Sequence, residues 1–459
     1  MTDTLMVGVS GVRGIVDKDL TPDVVSRWAM AFGRWAQERE PRVVVGRDSR
    51  QSGPAFAKAV REGLTTVGCD VIDVGLAPTP TIQLAVEHHR AGGGIAITAS
   101  HNPIEWNALK FIGPDGIFLD RAAGARVQHL AGEGGGRRGP LGRVTTDEEA
   151  VGRHLEGVLT LPAINVGRIR ARAFKVALDA VRGAGGPIMR ALLERLGCTV
   201  TGINLEPDGQ FARPPEPVPE NLGELASLVK RSGAGLGIAV DPDGDRLAIV
   251  DEKGAPIGED YTLAFAVRAE LGGQVDRPSP GPPVRPSVVV CNLSTSLVVE
   301  DAAREHGADV VRTPVGEVYV ARAIVRLGAV IGGEGNGGVM YPALHAGRDA
   351  PVAAALVLAL LERTGQTVSE LVAAAPRYAI VKAKASRGPA LDPVYAALKR
   401  RFADARVDVQ DGLRLAWQDR WLHVRPSNTE PIIRLIAEAP TGALAQALVD
   451  EGRRLCAAS

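Results

Sequence analysis

The sequence predicts an α/β fold of four domains: three related α/β units with mixed sheets, then a C-terminal α+β unit. A chain of 459 residues is too long for one hydrophobic core. Short β-branched runs alternate with helical periodicity almost throughout. Near the C-terminus strand-like runs succeed one another with little helix between them, as in an antiparallel sheet.

The first unit, 1–155, has a strand at 43–45 running into Gly46-Arg47-Asp48-Ser49-Arg50, then a helix from about Pro54. A strand at 71–74, a helix near 81–88 and a strand at 95–98 follow, and the Gly- and Arg-rich stretch 132–142 reads as a surface loop. The second unit, 156–254, repeats the cycle with a strand at 174–178, a helix at 187–196 and a strand at 199–203. Its proline-rich stretch 207–219 is extended by composition, and 236–240 and 247–250 read as short buried strands. The third unit, 255–372, has strands at 287–291, 310–312 and 329–331, a surface insertion at 272–286 and a buried helix at 350–363. The last unit, 373–459, holds strands at 378–383, 413–417, 421–424 and 432–437, with helices near 391–402 and 441–455.

The 53 basic and 53 acidic side chains cancel, which gives no reason to expect nucleic acid or an anionic membrane as partner. Cys69, Cys198, Cys291 and Cys456 are scattered without C-x-x-C spacing, against a zinc site and in favour of a reducing compartment. The first residues have no basic, apolar leader pattern, and the most apolar run stops at Glu362, too short to span a bilayer. A cytoplasmic protein is the expectation.

Asp241-Pro242-Asp243-Gly244-Asp245-Arg246 is the most informative stretch. Alternating carboxylates after an apolar strand repel one another unless a hard divalent cation, Mg²⁺ for example, sits among them. A calcium loop of the EF-hand kind is disfavoured, since Arg246 occupies the position that needs glycine and strands rather than helices flank it. A solvated acidic turn is the plainer alternative.

Three further segments carry chemistry, each with a plain turn as its rival. In Thr98-Ala99-Ser100-His101-Asn102-Pro103 a serine follows a strand directly and is well placed to face a cleft, while the absence of G-x-S-x-G disfavours a hydrolase nucleophile. Gly332-Gly333-Glu334-Gly335-Asn336-Gly337-Gly338 matches G-x-G-x-x-G by letter but opens no helix. A glycine turn offering Glu334 to sugar hydroxyls suits it at least as well. Arg425-Pro426-Ser427-Asn428-Thr429-Glu430-Pro431 combines a bidentate donor, hydroxyls and loop amides, as in a phosphate cradle.

All four segments in this order, with Ser10-Gly11-Val12-Arg13-Gly14 and Gly46-Arg47-Asp48-Ser49-Arg50, resemble the α-D-phosphohexomutase superfamily over essentially the whole chain. The resemblance implies an isomerase that moves phosphate between the 1- and 6-positions of a hexose, with its active site in a central cleft. It implies that Ser100 is the phosphoserine. One Mg²⁺ would be held by Asp241, Asp243, Asp245 and a phosphate oxygen on Ser100, with Arg246 supporting the transferring group. Lys110 and Arg13 match residues that assist catalysis, His101 would lend hydrogen-bonding support, and Asn107 fits the same motif as Lys110. Glu334 and Asn336 would bind the sugar, and Arg425, Ser427, Asn428 and Thr429 the phosphate that is not reacting. His345 and Arg348 are further candidates for holding substrate. A hexose 1,6-bisphosphate is implied as intermediate and activator, and a phosphosugar as the partner of a monomer or homodimer.

Two departures matter. Ala108 stands where the motif has glycine, which touches only the freedom of a loop. Asn336-Gly337-Gly338 replaces Ser-Gly-His, which looks like the archaeal-type branch often assigned as phosphoglucosamine mutases. Glucosamine 6-phosphate is the preferred substrate on that reading, with a broad phosphoglucomutase/phosphomannomutase as alternative. A sugar-phosphate phosphatase and a non-catalytic sugar-phosphate-binding paralogue are the readings from other classes.

Overall fold

A computed structural model describes residues 5–133, 140–274, 286–386, 391–427 and 432–457. Four sheets follow one another along the chain, each built from one of the four units. In the first, the parallel strands Asp70–Leu76, Arg42–Arg47 and Gly93–Ile97 are continued by antiparallel Trp106–Ile112, Gly11–Ile15 and Met6–Gly8, with Val144–Thr146 at the far edge. In the second, Thr199–Ile203, Lys175–Asp179 and Leu236–Val240 are parallel and Leu247–Asp251 turns back antiparallel. In the third, Asp309–Thr313, Val288–Asn292 and Ile331–Glu334 are parallel, followed by antiparallel Gly338–Tyr341 and His345–Arg348.

These three sheets share one plan: three parallel strands with an antiparallel hairpin closing the series. The hairpin turns are 98–105, 241–246 and 335–337, and each is one of the segments that the sequence singles out. Buried strands with apolar residues on both faces fix the turns rigidly, since such strands cannot slip register without exposing their core. The fourth sheet is wholly antiparallel, in the order Ala379–Ser386, Ile432–Ala439, Trp421–Pro426, Leu413–Ala416, Arg406–Asp408, and carries Arg425 at the end of a strand.

The helix expected at 350–363 is Ala350–Thr364, capped by the Asp349 carboxylate and by left-handed Gly365. Every residue from Ala350 to Leu361 is buried, because this helix lies inside one continuous core shared by the second and third units. The fourth unit has its own core around Leu398, Leu415, Leu422 and Leu435. Among the described residues no helix is long and apolar enough to cross a membrane. All four cysteines are free, and Cys69, Cys198 and Cys291 are buried.

Asn107 and Lys110 lie on the interior strand Trp106–Ile112 rather than in the loop after Ser100. Ala108 is therefore a buried strand residue, and its side chain answers to packing, not to loop freedom. The 132–142 stretch lies mostly outside the described residues, although the helix Arg121–Glu133 covers its start.

Candidate active site

The three hairpin turns meet. Ser100 Oγ donates to Asp241 Oδ2 at 2.8 Å, joining the first turn to the second. Ser100 is buried and takes φ +48°, a left-handed conformation that a non-glycine residue adopts only where its surroundings impose it. Its amide donates to Thr98 Oγ1 at 2.9 Å. The second turn meets the third through Arg348, which reaches Asp245 Oδ2 at 2.6 Å and Glu334 Oε2 at 2.9 Å, with Glu317 at 3.0 Å.

One carboxylate oxygen from each of Asp241, Asp243 and Asp245 lies within 4.8 Å of the other two. All three residues are buried, and Oδ1 of Asp243 and of Asp245 has no hydrogen-bond partner. Burial, then the charges of Asp245 and Asp243, push the Asp241 carboxyl well above the usual carboxylate range. An all-oxygen donor set with orphaned buried atoms fits a hard divalent cation, so these residues could hold one.

Lys110 Nζ donates to Asp243 Oδ2 at 2.7 Å and lies 3.8 Å from Asp245. Burial lowers its pKa, yet the two carboxylates outweigh burial and raise it above the ordinary lysine value. For Asp243, burial acts upward, but Lys110 and the hydrogen bonds it receives hold its carboxyl below the usual range. Thr79, absent from the sequence expectations, anchors the same residue through its hydroxyl at 2.7 Å and its amide at 2.9 Å.

Arg13 and Lys110 share one face of adjoining strands, since Arg13 pairs with Ala108 and Gly11 with Lys110. Arg13 Nη1 donates to Asn102 Oδ1 at 2.8 Å. His101 Nδ1 stands 3.5 Å from Ser100 Oγ. The Arg246 guanidinium, then burial, then Arg13 and Arg348 push its imidazole down to about 2, so it stays neutral at working pH. The Arg246 amide donates to Asp241 Oδ1, and its side chain lies 3.5 Å from Glu216.

Glu334 is buried with both oxygens engaged: Oε1 by Asn292 at 2.9 Å and the Gly316 amide at 3.1 Å, Oε2 by Arg348. Asn336 sits in the turn and accepts from the Gly338 amide. Arg425 is buried, its Nε and Nη1 lack hydrogen-bond partners, and Asp411 is 3.7 Å away. Asp411 also accepts the Val315 amide at 3.1 Å, next to the Gly316 amide that binds Glu334, so the fourth unit meets the third beside its turn. Ser427 is buried beside it, while Asn428 and Thr429 lie outside the described residues.

His345 departs from expectation. It is buried, with Nε2 2.9 Å from Asp349 and Nδ1 accepting from the Gly347 amide. His154 Nε2 takes the same Asp349 oxygen at 2.8 Å, and its Nδ1 meets Thr81. Both ring nitrogens of His345 serve this cluster between units, which leaves none for substrate. Arg348 is likewise committed to three carboxylates. Sequence reading missed Glu317, which no local pattern marks, and it quoted Asp48 and Arg50 without a role.

Models of the phosphoglucomutase/phosphomannomutase α/β/α domains I, II and III match residues 4–134, 153–254 and 261–378, and that of the C-terminal domain matches 380–455. The chain is 37% identical to a phosphoglucomutase/phosphomannomutase of Thermococcus kodakarensis, covering 98% of each. It is also 37% identical to a protein of Methanopyrus kandleri named as a probable phosphoglucosamine mutase, over 97% of this chain and 96% of that one. Among solved structures, a phosphoglucomutase/phosphomannomutase family protein of Burkholderia thailandensis superposes with a TM-score of 0.85 at 26% identity, covering 99% of this chain and 98% of that one. With all four domains matched in order and the three turns converging on one serine and three aspartates, the chain belongs to the phosphoglucomutase/phosphomannomutase family, within the α-D-phosphohexomutases, and is a phosphosugar mutase.

Proposed function

We propose that the chain moves phosphate between the 1- and 6-positions of a hexose through a phosphoserine at Ser100, its preferred reaction being the conversion of glucosamine 6-phosphate into glucosamine 1-phosphate. The observation that carries this reading is the 2.8 Å contact of Ser100 Oγ with Asp241, beside two carboxylates with unpartnered oxygens. Mg²⁺ held by Asp241, Asp243, Asp245 and a phosphate oxygen on Ser100 would neutralise charge on the transferring group.

The rest falls to the chain itself. Lys110, kept protonated by its carboxylate neighbours, adds a fixed positive charge at the reacting end, together with Arg13 and Arg246. As the phosphoryl group leaves Ser100, a P–O bond to the sugar hydroxyl forms and the bond to serine breaks. The hydroxyl proton ends on Oγ, and hexose 1,6-bisphosphate results. The bisphosphate turns around and its other phosphate returns to Ser100 by the reverse bond changes. Added bisphosphate would load Ser100 in the same way, hence its activating role. Neutral His101 supports the serine by hydrogen bonding and does not act as an imidazolium acid.

Arg425 offers two buried donors that make no hydrogen bond, Nε and Nη1, to the remote phosphate, with Ser427, Asn428 and Thr429 beside it in sequence. Glu334 and Asn336 would meet the sugar hydroxyls, Glu334 after exchanging one of its present donors. The preference for the amino sugar rests on the Glu-Gly-Asn-Gly-Gly form of the third turn. Likeness alone does not choose the sugar, since two relatives at equal identity carry different sugar names. On this reading the partner is the phosphosugar, taken up by a cytoplasmic monomer or homodimer.

The test is turnover on glucosamine 6-phosphate, glucose 1-phosphate and mannose 1-phosphate with Mg²⁺ and trace bisphosphate. A clear lead for the amino sugar is expected. Comparable rates on all three would replace that preference with broad specificity, and release of inorganic phosphate without isomer would overturn the mutase reading.

A further inference from the structure

The segment Gly46-Arg47-Asp48-Ser49-Arg50 has no part in the chemistry above, yet one of its side chains holds the turn that carries Ser100. Arg50 is fully buried. Its Nη2 donates to the carbonyls of Ser100 and Asn102, both at 2.7 Å, and its Nη1 to those of Pro103 at 2.7 Å and Trp106 at 2.8 Å. The fifth donor, Nε, meets Asp48 Oδ2 at 3.1 Å, so every N–H of the guanidinium is used. Asp48 Oδ2 also accepts from the Thr98 hydroxyl at 2.6 Å, and Thr98 Oγ1 accepts the Ser100 amide. Three main-chain carbonyls of one irregular turn and that of Trp106, which opens the next strand, thus converge on a single cation, and each would lose a buried hydrogen bond without it.

The back of the guanidinium is covered from the second unit. The Phe211 ring centroid lies 4.9 Å from Arg50 Cζ. Gly209 packs so closely that an added Cβ would stand 2.2 Å from the Ser49 carbonyl oxygen. Ser49 Oγ donates to the Arg182 carbonyl at 2.8 Å. The segment therefore touches both the serine turn and the unit that carries the three aspartates.

We propose that Arg50, fixed by Asp48 and Thr98 and backed by Phe211, is a positioning residue for phosphoryl transfer: it imposes the left-handed turn that aims Ser100 Oγ at Asp241. The inference rests on the phosphoserine reading of Ser100. A guanidinium does this where an ammonium cannot, because its planar fork reaches four carbonyls in fixed directions. Misplacement of a reacting atom by about 1 Å costs on the order of a hundredfold in rate. Substrate binding depends on other residues, so the loss should fall on kcat and leave KM alone.

The experiment compares Arg50→Lys, Thr98→Val and Thr98→Ser by kcat, KM, loading of Ser100 from glucose 1,6-bisphosphate followed by intact mass, and hydrogen exchange. Arg50→Lys and Thr98→Val should lower kcat and the loading rate by roughly tenfold to a hundredfold, with KM within about twofold. Faster exchange should be confined to residues 98–106, and Thr98→Ser should restore both rate and protection. Unchanged kcat and protection in Arg50→Lys would overturn the proposal. So would faster exchange spread over the whole first sheet without rescue by Thr98→Ser, since that marks a structural role only. If Arg50→Lys does not fold, the Thr98→Val and Thr98→Ser pair decides by the same criteria. Ser100→Ala is the separate control: persisting mutase turnover there sinks the phosphoserine reading, while exchange in Arg50→Lys still reports whether Arg50 holds the turn.

Discussion

The turn at Ser100 and the turn at Asp241–Arg246 occupy equivalent positions in equivalent sheets, each closing an antiparallel hairpin onto three parallel strands. They are stabilised in opposite ways. The serine turn buries no carboxylate and is strained at Ser100, and a buried cation from its own unit gathers its carbonyls. The aspartate turn is unstrained at its three carboxylates but carries like charges, and its own Arg246, 3.6 Å from Asp245, is joined by counter-cations from elsewhere: Lys110 from the first unit and Arg348 from the third. A shared topology thus sets where a turn points, and the side chains decide whether it serves as a rigid mount or a charge trap waiting for a cation.

Removing the proposed nucleophile from the rigid turn should have the largest effect. Ser100→Ala should lower mutase turnover by on the order of a thousandfold or more with little change in melting temperature. It should leave most Mg²⁺ affinity in place, since the three aspartates sit on the other turn. A Mg²⁺ titration abolished in this variant would show that the two turns do not divide the work in this way.

Asp243→Asn attacks the charge trap, and metal affinity and turnover should fall together by roughly tenfold to a hundredfold. An unchanged titration would remove Asp243 from the ligand set. Arg348→Met should destabilise the metal-free protein by about 3–5 kcal/mol, because it leaves buried carboxylates without their partner. Added Mg²⁺ should recover more of the melting temperature in this variant than it adds to the wild type. Equal Mg²⁺ responses in both proteins would mean that Arg348 does not stand in for missing metal charge.

Arg425→Ala, outside both turns, should raise KM by roughly tenfold with kcat changed much less. Unaltered binding of both phosphosugars by calorimetry would take Arg425 out of the phosphate site.

The smallest effect concerns the third turn, where the Asp260 carboxyl packs against Gly335 and accepts the Ser296 amide. Burial first, then the nearby Glu438 and Glu259, push its pKa from 3.8 to about 7. The folded state therefore keeps a proton that the unfolded chain releases. This contribution to stability is fully present below pH 3.8 and is lost as pH rises towards 7. Asp260→Asn keeps the acceptor and should flatten that fall in chemical denaturation curves recorded across the window. A mutant curve parallel to the wild type would exclude Asp260 as its source.

The aspartate turn was legible in sequence because alternating carboxylates beside buried strands have few physical explanations. Ser100 was legible as a polar residue at a strand end. The four sheets followed from periodicity, and the antiparallel last unit from strand runs without intervening helices. Ala108 was misread as a loop residue because Asn107 and Lys110 beside it interrupt the apolar pattern, yet both of those side chains find partners across the fold, at Ser52 and Asp243. His345 was misread because its partners, Asp349 and the amide of Gly347, show only in the fold, and His154 meets them from another unit. Arg50 was visible only as a letter in a motif, since nothing local reveals that four carbonyls lie around it.

The buried helix Ala350–Thr364 has a consequence for chain exchange between relatives. Because it lies in a core common to the second and third units, a chimaera joined between those units would pair halves of two hydrophobic interiors that were never selected to fit. The C-terminal unit, with its separate core, meets the rest through a small apolar patch of Leu297, Ala416 and Trp421 and through a few polar contacts such as Ser294 with His423. The third turn is thus inherited together with the aspartate turn as one block, and only the C-terminal unit, proposed to bind the remote phosphate, is free to be exchanged as a module.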